Sequence, residues 1–226
     1  MSDPGLPADA EPRRGLGALT AADFSIADAT GGIRGLIESI APGLVFVVVY
    51  LVAGELRPAL IAASVVTLLA VVARLAQRTP LTQALAGAVG VGIGVFWAAR
   101  SGQAQDYFVV GLWTNGGYLA ACLISLVAGW PLVGVVVGLL RGEGTSWRTN
   151  PPERRVFAWA TGLWAAMFGA RLAVQLPLYL GAQVAWLGTA RLVMGVPLWA
   201  LTLWVTWLLV RTPGAARDPT RSPLAP

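Results

Sequence analysis

The sequence predicts an all-α polytopic membrane protein with six transmembrane helices, a short interfacial or re-entrant helix after the fourth, and a flexible tail at each end. Three observations carry this fold class. The 226 residues are 56% hydrophobic and 12% charged, whereas about a quarter of residues are charged in an average soluble domain. The basic residues are sixteen arginines, with no lysine and no histidine, and they divide the chain into uncharged runs. Several runs approach or exceed the roughly 20 apolar residues that cross a hydrocarbon core about 30 Å thick.

Residues 1–31 place Asp3, Asp9, Glu11, Asp23 and Asp28 against Arg13 and Arg14 in a segment rich in Ala, Gly and Pro. Such a composition buries too little apolar surface to offset ordering entropy, so a disordered acidic tail is expected. A secretory signal is not expected, because no basic region, apolar stretch and cleavage site occur in that order. The membrane domain is expected over 32–211, with spans near 37–54, 58–77, 81–99, 107–128, 156–178 and 190–210. The uncharged run from Tyr107 to Leu140 is 34 residues long, enough for one crossing but not for two and a turn. Gly129-Trp130-Pro131 supplies the break, which leaves 131–140 as the short helix. The fifth span requires Arg171 within it. Residues 212–226 carry four prolines and two arginines and read as a second flexible tail.

Arginine placement tests the count, because Arg excess marks cytoplasmic loops. Six crossings put twelve arginines on one side and three, Arg57, Arg100 and Arg191, on the other, with Arg171 in the membrane. The split predicts a cytoplasmic-membrane protein with both termini in the cytoplasm. Trp97, Trp113, Trp130, Trp159 and Trp207 fall near expected helix ends, where indole rings favour the headgroup level; Trp164, Trp199 and Trp204 do not. Small-residue spacing appears as Gly90 and Gly94 within the Gly87–Gly94 row and as Gly134, Gly138 and Gly142. Close intramolecular helix packing is the expectation, with homo-oligomer formation as the alternative. A pattern of Arg-Leu, four residues, then Pro-Leu recurs at Arg74, Arg171 and Arg191; the copies share no common orientation, and no inverted repeat is inferred from them.

The inventory of reactive residues is short. Without histidine there is no Ser-His-Asp or Cys-His dyad and no HExxH zinc site. One cysteine, Cys122, supports neither a disulfide nor a cysteine-cluster metal site. Without lysine there is no Walker A motif, and no Asp-rich helix pair is present to hold Mg²⁺. No enzymatic activity and no cofactor are expected. The basic residues form no stripe with interleaved aromatics, so nucleic acid is not an expected partner; the lipid bilayer is.

Arg171 is the outlier. A charge within a spanning helix costs about 2.5 to 3.5 kcal/mol and usually faces the bundle interior with a partner. At 1.5 Å per residue it lies about 22 Å in from the cytoplasmic side, and Asn115, on a span of opposite direction, about 12 Å in from the outer side. In a core of roughly 30 Å these depths are similar. Gln175 shares the helical face of Arg171. The expected intramembrane polar cluster is therefore Arg171, Gln175 and Asn115, with Glu55 or Asp106 from the outer loops as counter-charge; the alternative is snorkelling of Arg171 to the outer headgroups. Glu38 and Arg34 form an expected local pair at the first helix start. The longest polar connection, with Arg141, Glu143, Trp147 and Arg148, is a candidate cytoplasmic contact or anionic-lipid surface, against the simpler reading of a solvated loop.

Leu36-Ile37-Glu38-Ser39-Ile40-Ala41-Pro42-Gly43-Leu44-Val45-Phe46, Arg57-Pro58-Ala59-Leu60, Trp130-Pro131-Leu132-Val133-Gly134 and Leu140-Arg141-Gly142-Glu143-Gly144-Thr145 together resemble an actinobacterial multi-pass membrane family, domain of unknown function 3159, over about residues 32–211. More remotely, the order of segments is similar to the intracellular septation protein A family. The second resemblance implies a protein linked to cell envelope synthesis or septation that acts through membrane-protein partners of the envelope or division machinery. The expectation is thus a non-enzymatic scaffold or accessory protein, with a small transporter or channel component for an anion or polar solute as the alternative.

Overall fold

The computed structural model describes residues 32–77 and 82–211. The two expected tails, 1–31 and 212–226, lie outside them, and the side chains of the Arg34–Glu38 pair are likewise not described. Among the described residues all regular structure is helical. The helices are α1 (Gly32–Ala53), α2 (Leu56–Ala76), α3 (Thr82–Ser101), α4 (Val109–Val127), α5 (Leu132–Arg141), α6 (Pro151–Leu180), α7 (Val184–Val193) and α8 (Val196–Arg211), with 3₁₀ turns at Ala104–Phe108 and Ser146–Thr149.

Four helical runs are long and apolar enough to cross a membrane: Leu56–Ala76, Ala104–Val127, Pro151–Leu180 and Val184–Arg211. The apolar stretches Ile40–Ala53, Leu85–Ser101 and Leu132–Arg141 are shorter. The predicted break at Gly129-Trp130-Pro131 is present, with Gly129 at φ +69°, a conformation that only glycine adopts without penalty. Arg141 ends α5, and Gly142 at φ 71° caps it, while the Glu143 N–H donates to the Gly138 carbonyl at 3.0 Å. This is the left-handed helix stop expected of glycine.

The last span differs from the 190–210 prediction. Helix begins at Val184, breaks at Met194-Gly195 and resumes at Val196. Pro197 has no N–H to offer the Val193 carbonyl and its ring crowds that oxygen, which interrupts the ladder. A Cβ at position 195 would lie 2.8 Å from the Arg191 carbonyl oxygen, so the break also selects glycine.

The helices form two units. α1, α2 and α3 pack sequentially, and α6 is the post against which α4, α5, α7 and α8 rest. Three apolar clusters stack along α6. Phe157 sits with Val137, Trp147 and Val210; Ala165 and Phe168 sit with Cys122; Leu178 and Tyr179 pack on a core of Phe46, Tyr107, Phe108 and Leu187. From Phe157 to Tyr179 the axial rise is roughly 33 Å, close to the thickness of a hydrocarbon core. In the last cluster the Phe46 and Tyr107 rings stack with centroids 4.0 Å apart. Glycine permits the junction between units: at Gly188 a Cβ would strike Val47, and at Gly94 it would lie 2.5 Å from the Tyr107 carbonyl oxygen. Of the three tryptophans that fitted no interfacial belt, Trp204 is exposed, while Trp164 and Trp199 are half-buried and pack on each other. Trp164 donates from its indole nitrogen to the Thr206 hydroxyl at 3.0 Å and meets the Trp199 ring edge-on.

Candidate functional site: an arginine-lined cavity between the two units

Between the two units lies a cavity of about 540 Å³ to which every long helix contributes. Small residues keep it open. At Gly43, Gly87 and Gly90, all on the lining, an added Cβ would meet nothing within 4 Å. The expected close packing at Gly90 and Gly94 is therefore split: Gly94 brings α3 against the 3₁₀ turn, whereas Gly90 leaves space. Gly134 and Gly138 do pack closely, the first with the Phe157 ring at 3.0 Å from a Cβ position, the second against Trp147.

Arg74, Arg171 and Arg191 line this cavity together with Asn115 and Gln175, and among the described residues no aspartate or glutamate lines it. Three of the five residues of the expected cluster are thus gathered in one place. The two proposed counter-charges are elsewhere. Glu55 is exposed at the start of α2. Asp106 is buried, but its carboxylate accepts the Tyr179 hydroxyl at 2.5 Å, because the 3₁₀ turn carries it toward the end of α6 and away from Arg171.

Arg171 turns toward the break between α7 and α8. One guanidinium nitrogen, Nη2, donates to the Gly195 carbonyl at 2.6 Å, at the break between α7 and α8, and its Nε is buried without a hydrogen-bond partner. Arg191, expected in an outer loop, instead faces the cavity two turns into α7. The loop turns earlier, at Ala182, where φ is 51°. Arg191 Nη1 donates to the Phe108 carbonyl at 3.4 Å, and its guanidinium lies 5.5 Å from the Phe108 ring centroid. Gly111 makes room for it, since a Cβ there would stand 2.7 Å from Nη1. Arg171 and Arg191 are near enough to feel each other's charge.

A sequence signal for this gathering existed. The three cavity arginines are the three that open the Arg-Leu, four residues, Pro-Leu pattern. In Arg171 and Arg191 the proline six positions later falls at Pro177 within α6 and at Pro197 beside the α7–α8 break.

Residues 30–217 match the family described as protein of unknown function (DUF3159). The chain belongs to this family. No curated protein and no solved structure matches it, and the likeness to the septation protein A family finds no support among these matches. The family's description assigns no activity, so any function must come from geometry.

In this family member the second sequence-predicted site is divided: Arg141, Glu143 and Arg148 are exposed and Trp147 is buried. Trp147 is 1% exposed and meets the Phe157 ring edge-on at 5.5 Å, so it is a core residue. It turns inward because α5 presents Gly138, whose missing side chain leaves the indole its place. Arg141 Nη2 donates to the Val210 carbonyl at 3.4 Å, and Arg148 stacks over Trp130 at 3.8 Å. Glu143 is exposed. Among the described residues no group of three or more His, Cys, Asp or Glu side chains could hold a metal.

Proposed function

We propose that this chain is a small transporter or channel component that binds an anion in the cavity at membrane depth. One observation carries the reading: Arg171 and Arg191 share a cavity that, among the described residues, no carboxylate lines. Two guanidiniums that share one cavity repel each other, and an anion between them relieves that repulsion. An anion about 4 Å from either would gain on the order of 4 kcal/mol at an effective dielectric constant of about 20. The broken α7–α8 segment, with a backbone carbonyl turned to Arg171, fits irregular backbone at membrane depth that lines a cavity.

The finer topology belongs to the same proposal. Six crossings, with Val184–Arg211 as the last and α5 lying at the interface, place both termini in the cytoplasm. With Arg191 inside the bundle, Arg57 and Arg100 remain on the outer side, which sharpens the arginine asymmetry. The protein acts on its solute without covalent chemistry, as a chain with no histidine, no lysine and one cysteine would. A scaffold for envelope or division partners rests on the remote resemblance alone, and a scaffold has no use for an arginine-lined cavity.

Purified protein in proteoliposomes decides the matter. Labelled phosphate and carboxylate solutes should enter saturably, and Arg191→Gln should abolish entry while neutral sugars show none in either protein. Absence of anion flux, or flux that Arg191→Gln leaves unchanged, sinks the proposal in favour of a scaffold.

A further inference from the structure

Resting on that anion-binding reading, we infer that the solute is an organic anion, an acidic phosphate or carboxylate head on an apolar body, and not an inorganic ion. Volume is the first reason. The cavity measures about 540 Å³, whereas a water molecule's share of liquid is about 30 Å³. Cavities of roughly 300 to 1,000 Å³ take whole organic ligands, and an inorganic ion would leave most of this one to water. The distribution of chemistry is the second. Arg171, Arg191 and Asn115 line the same cavity, while Val71, Val91 and Trp199 give the lining broad apolar surface.

The head group's seat is built in advance. Arg171 is fixed by the bond from Nη2 to the Gly195 carbonyl, while its Nε is buried away from the open space. Arg191 is held by the Phe108 carbonyl and needs the space that Gly111 leaves. Both guanidiniums therefore retain N–H groups for an oxyanion, in the planar arrangement that suits phosphate and carboxylate. The apolar body then lies against Trp199 and the open glycine face of α3. The same chemistry is found in a free amphiphilic acid and in the head of a membrane lipid.

Calorimetric titration of the full-length protein in phosphatidylcholine nanodiscs, with empty nanodiscs subtracted, tests this with inorganic phosphate, butyl phosphate and octyl phosphate. Each buried methylene is worth about fourfold in affinity, so octyl phosphate should bind on the order of 100-fold more tightly than butyl phosphate, and inorganic phosphate most weakly. Arg191→Gln should weaken octyl phosphate at least tenfold. Gly111→Ala should do the same at unchanged helicity and elution volume, since it displaces only the end of a flexible side chain. Trp199→Ala should weaken octyl phosphate without changing butyl phosphate. If inorganic phosphate binds as tightly as octyl phosphate and Arg191→Gln removes both, the organic-anion inference is overturned and the anion reading stands. If no phosphate binds above the empty discs, or binding ignores Arg191→Gln and Gly111→Ala, both fall. Phosphatidic acid in the discs assigns the source: competition with octyl phosphate supports a lipid head group, and its absence with tight octyl phosphate binding supports a free solute.

Discussion

Replacing Arg171 with leucine should leave the fold standing while anion binding is lost. The magnitude follows from two opposing terms. Removing a guanidinium from a spanning helix recovers about 2.5 to 3.5 kcal/mol. Losing the hydrogen bond from Nη2 to the Gly195 carbonyl at 2.6 Å forfeits about 1.5 to 3 kcal/mol, the range for bonds to charged groups. The Gly195 carbonyl is not orphaned, because it still accepts the Trp199 N–H at 3.1 Å. The net change is within about 2 kcal/mol, and at about 2 to 4 °C per kcal/mol for a chain of this size the melting midpoint should move by less than about 8 °C. The assay is thermal denaturation of detergent-purified protein followed by size-exclusion elution, beside octyl phosphate titration of the same preparation. A midpoint lowered by more than about 15 °C would refute the reasoning, for it would make Arg171 a clamp that holds α8 against α6.

Three more outcomes follow from the packing. Gly138→Ala drives a methyl group into the Gly144 carbonyl and the Trp147 indole and should cost about 1 to 3 kcal/mol, whereas Gly92→Ala, which meets nothing within 4 Å, should be neutral or stabilise by up to about 1 kcal/mol; equal melting midpoints for the two would contradict the packing described. Tyr179→Phe removes the hydroxyl donated to buried Asp106 and should lower stability by about 1 to 3 kcal/mol, read as a shifted denaturation midpoint; an unshifted midpoint means that the bond is not closing this end of the bundle. Reporters active only in the periplasm should stay silent at either terminus and respond when inserted at Gly102-Gln103, and activity at a terminus would overturn six crossings.

The elements legible in the sequence were those set by local rules. Runs without charge located α2, α3, α4 and α6 to within a few residues, and Gly129-Trp130-Pro131 gave the start of α5. Counting axial rise brought Arg171 and Asn115 to one depth, the helical repeat put Gln175 on the face of Arg171, and all three line one cavity. Treating every arginine as a loop marker misplaced Arg191, because the turn falls at Ala182 and the helix that follows carries the arginine inward. The same habit put Trp147 on a surface, since a polar loop in sequence says nothing of which side chain the neighbouring Gly138 leaves space for. Asp106 and Glu55 were plausible counter-charges by depth alone, and direction excluded them.

By itself the sequence determined the solvent, the lengths of the helices and the chemistry the chain lacks, because transfer of a residue between water and lipid depends mainly on that residue and its immediate neighbours. Only the tertiary structure decided which arginines meet. Successive helical residues are turned by about 100°, so the place of one turn at Ala182 and the rotation of α6 and α7 about their axes set whether a guanidinium faces lipid or a shared cavity, and no count along one dimension contains those angles.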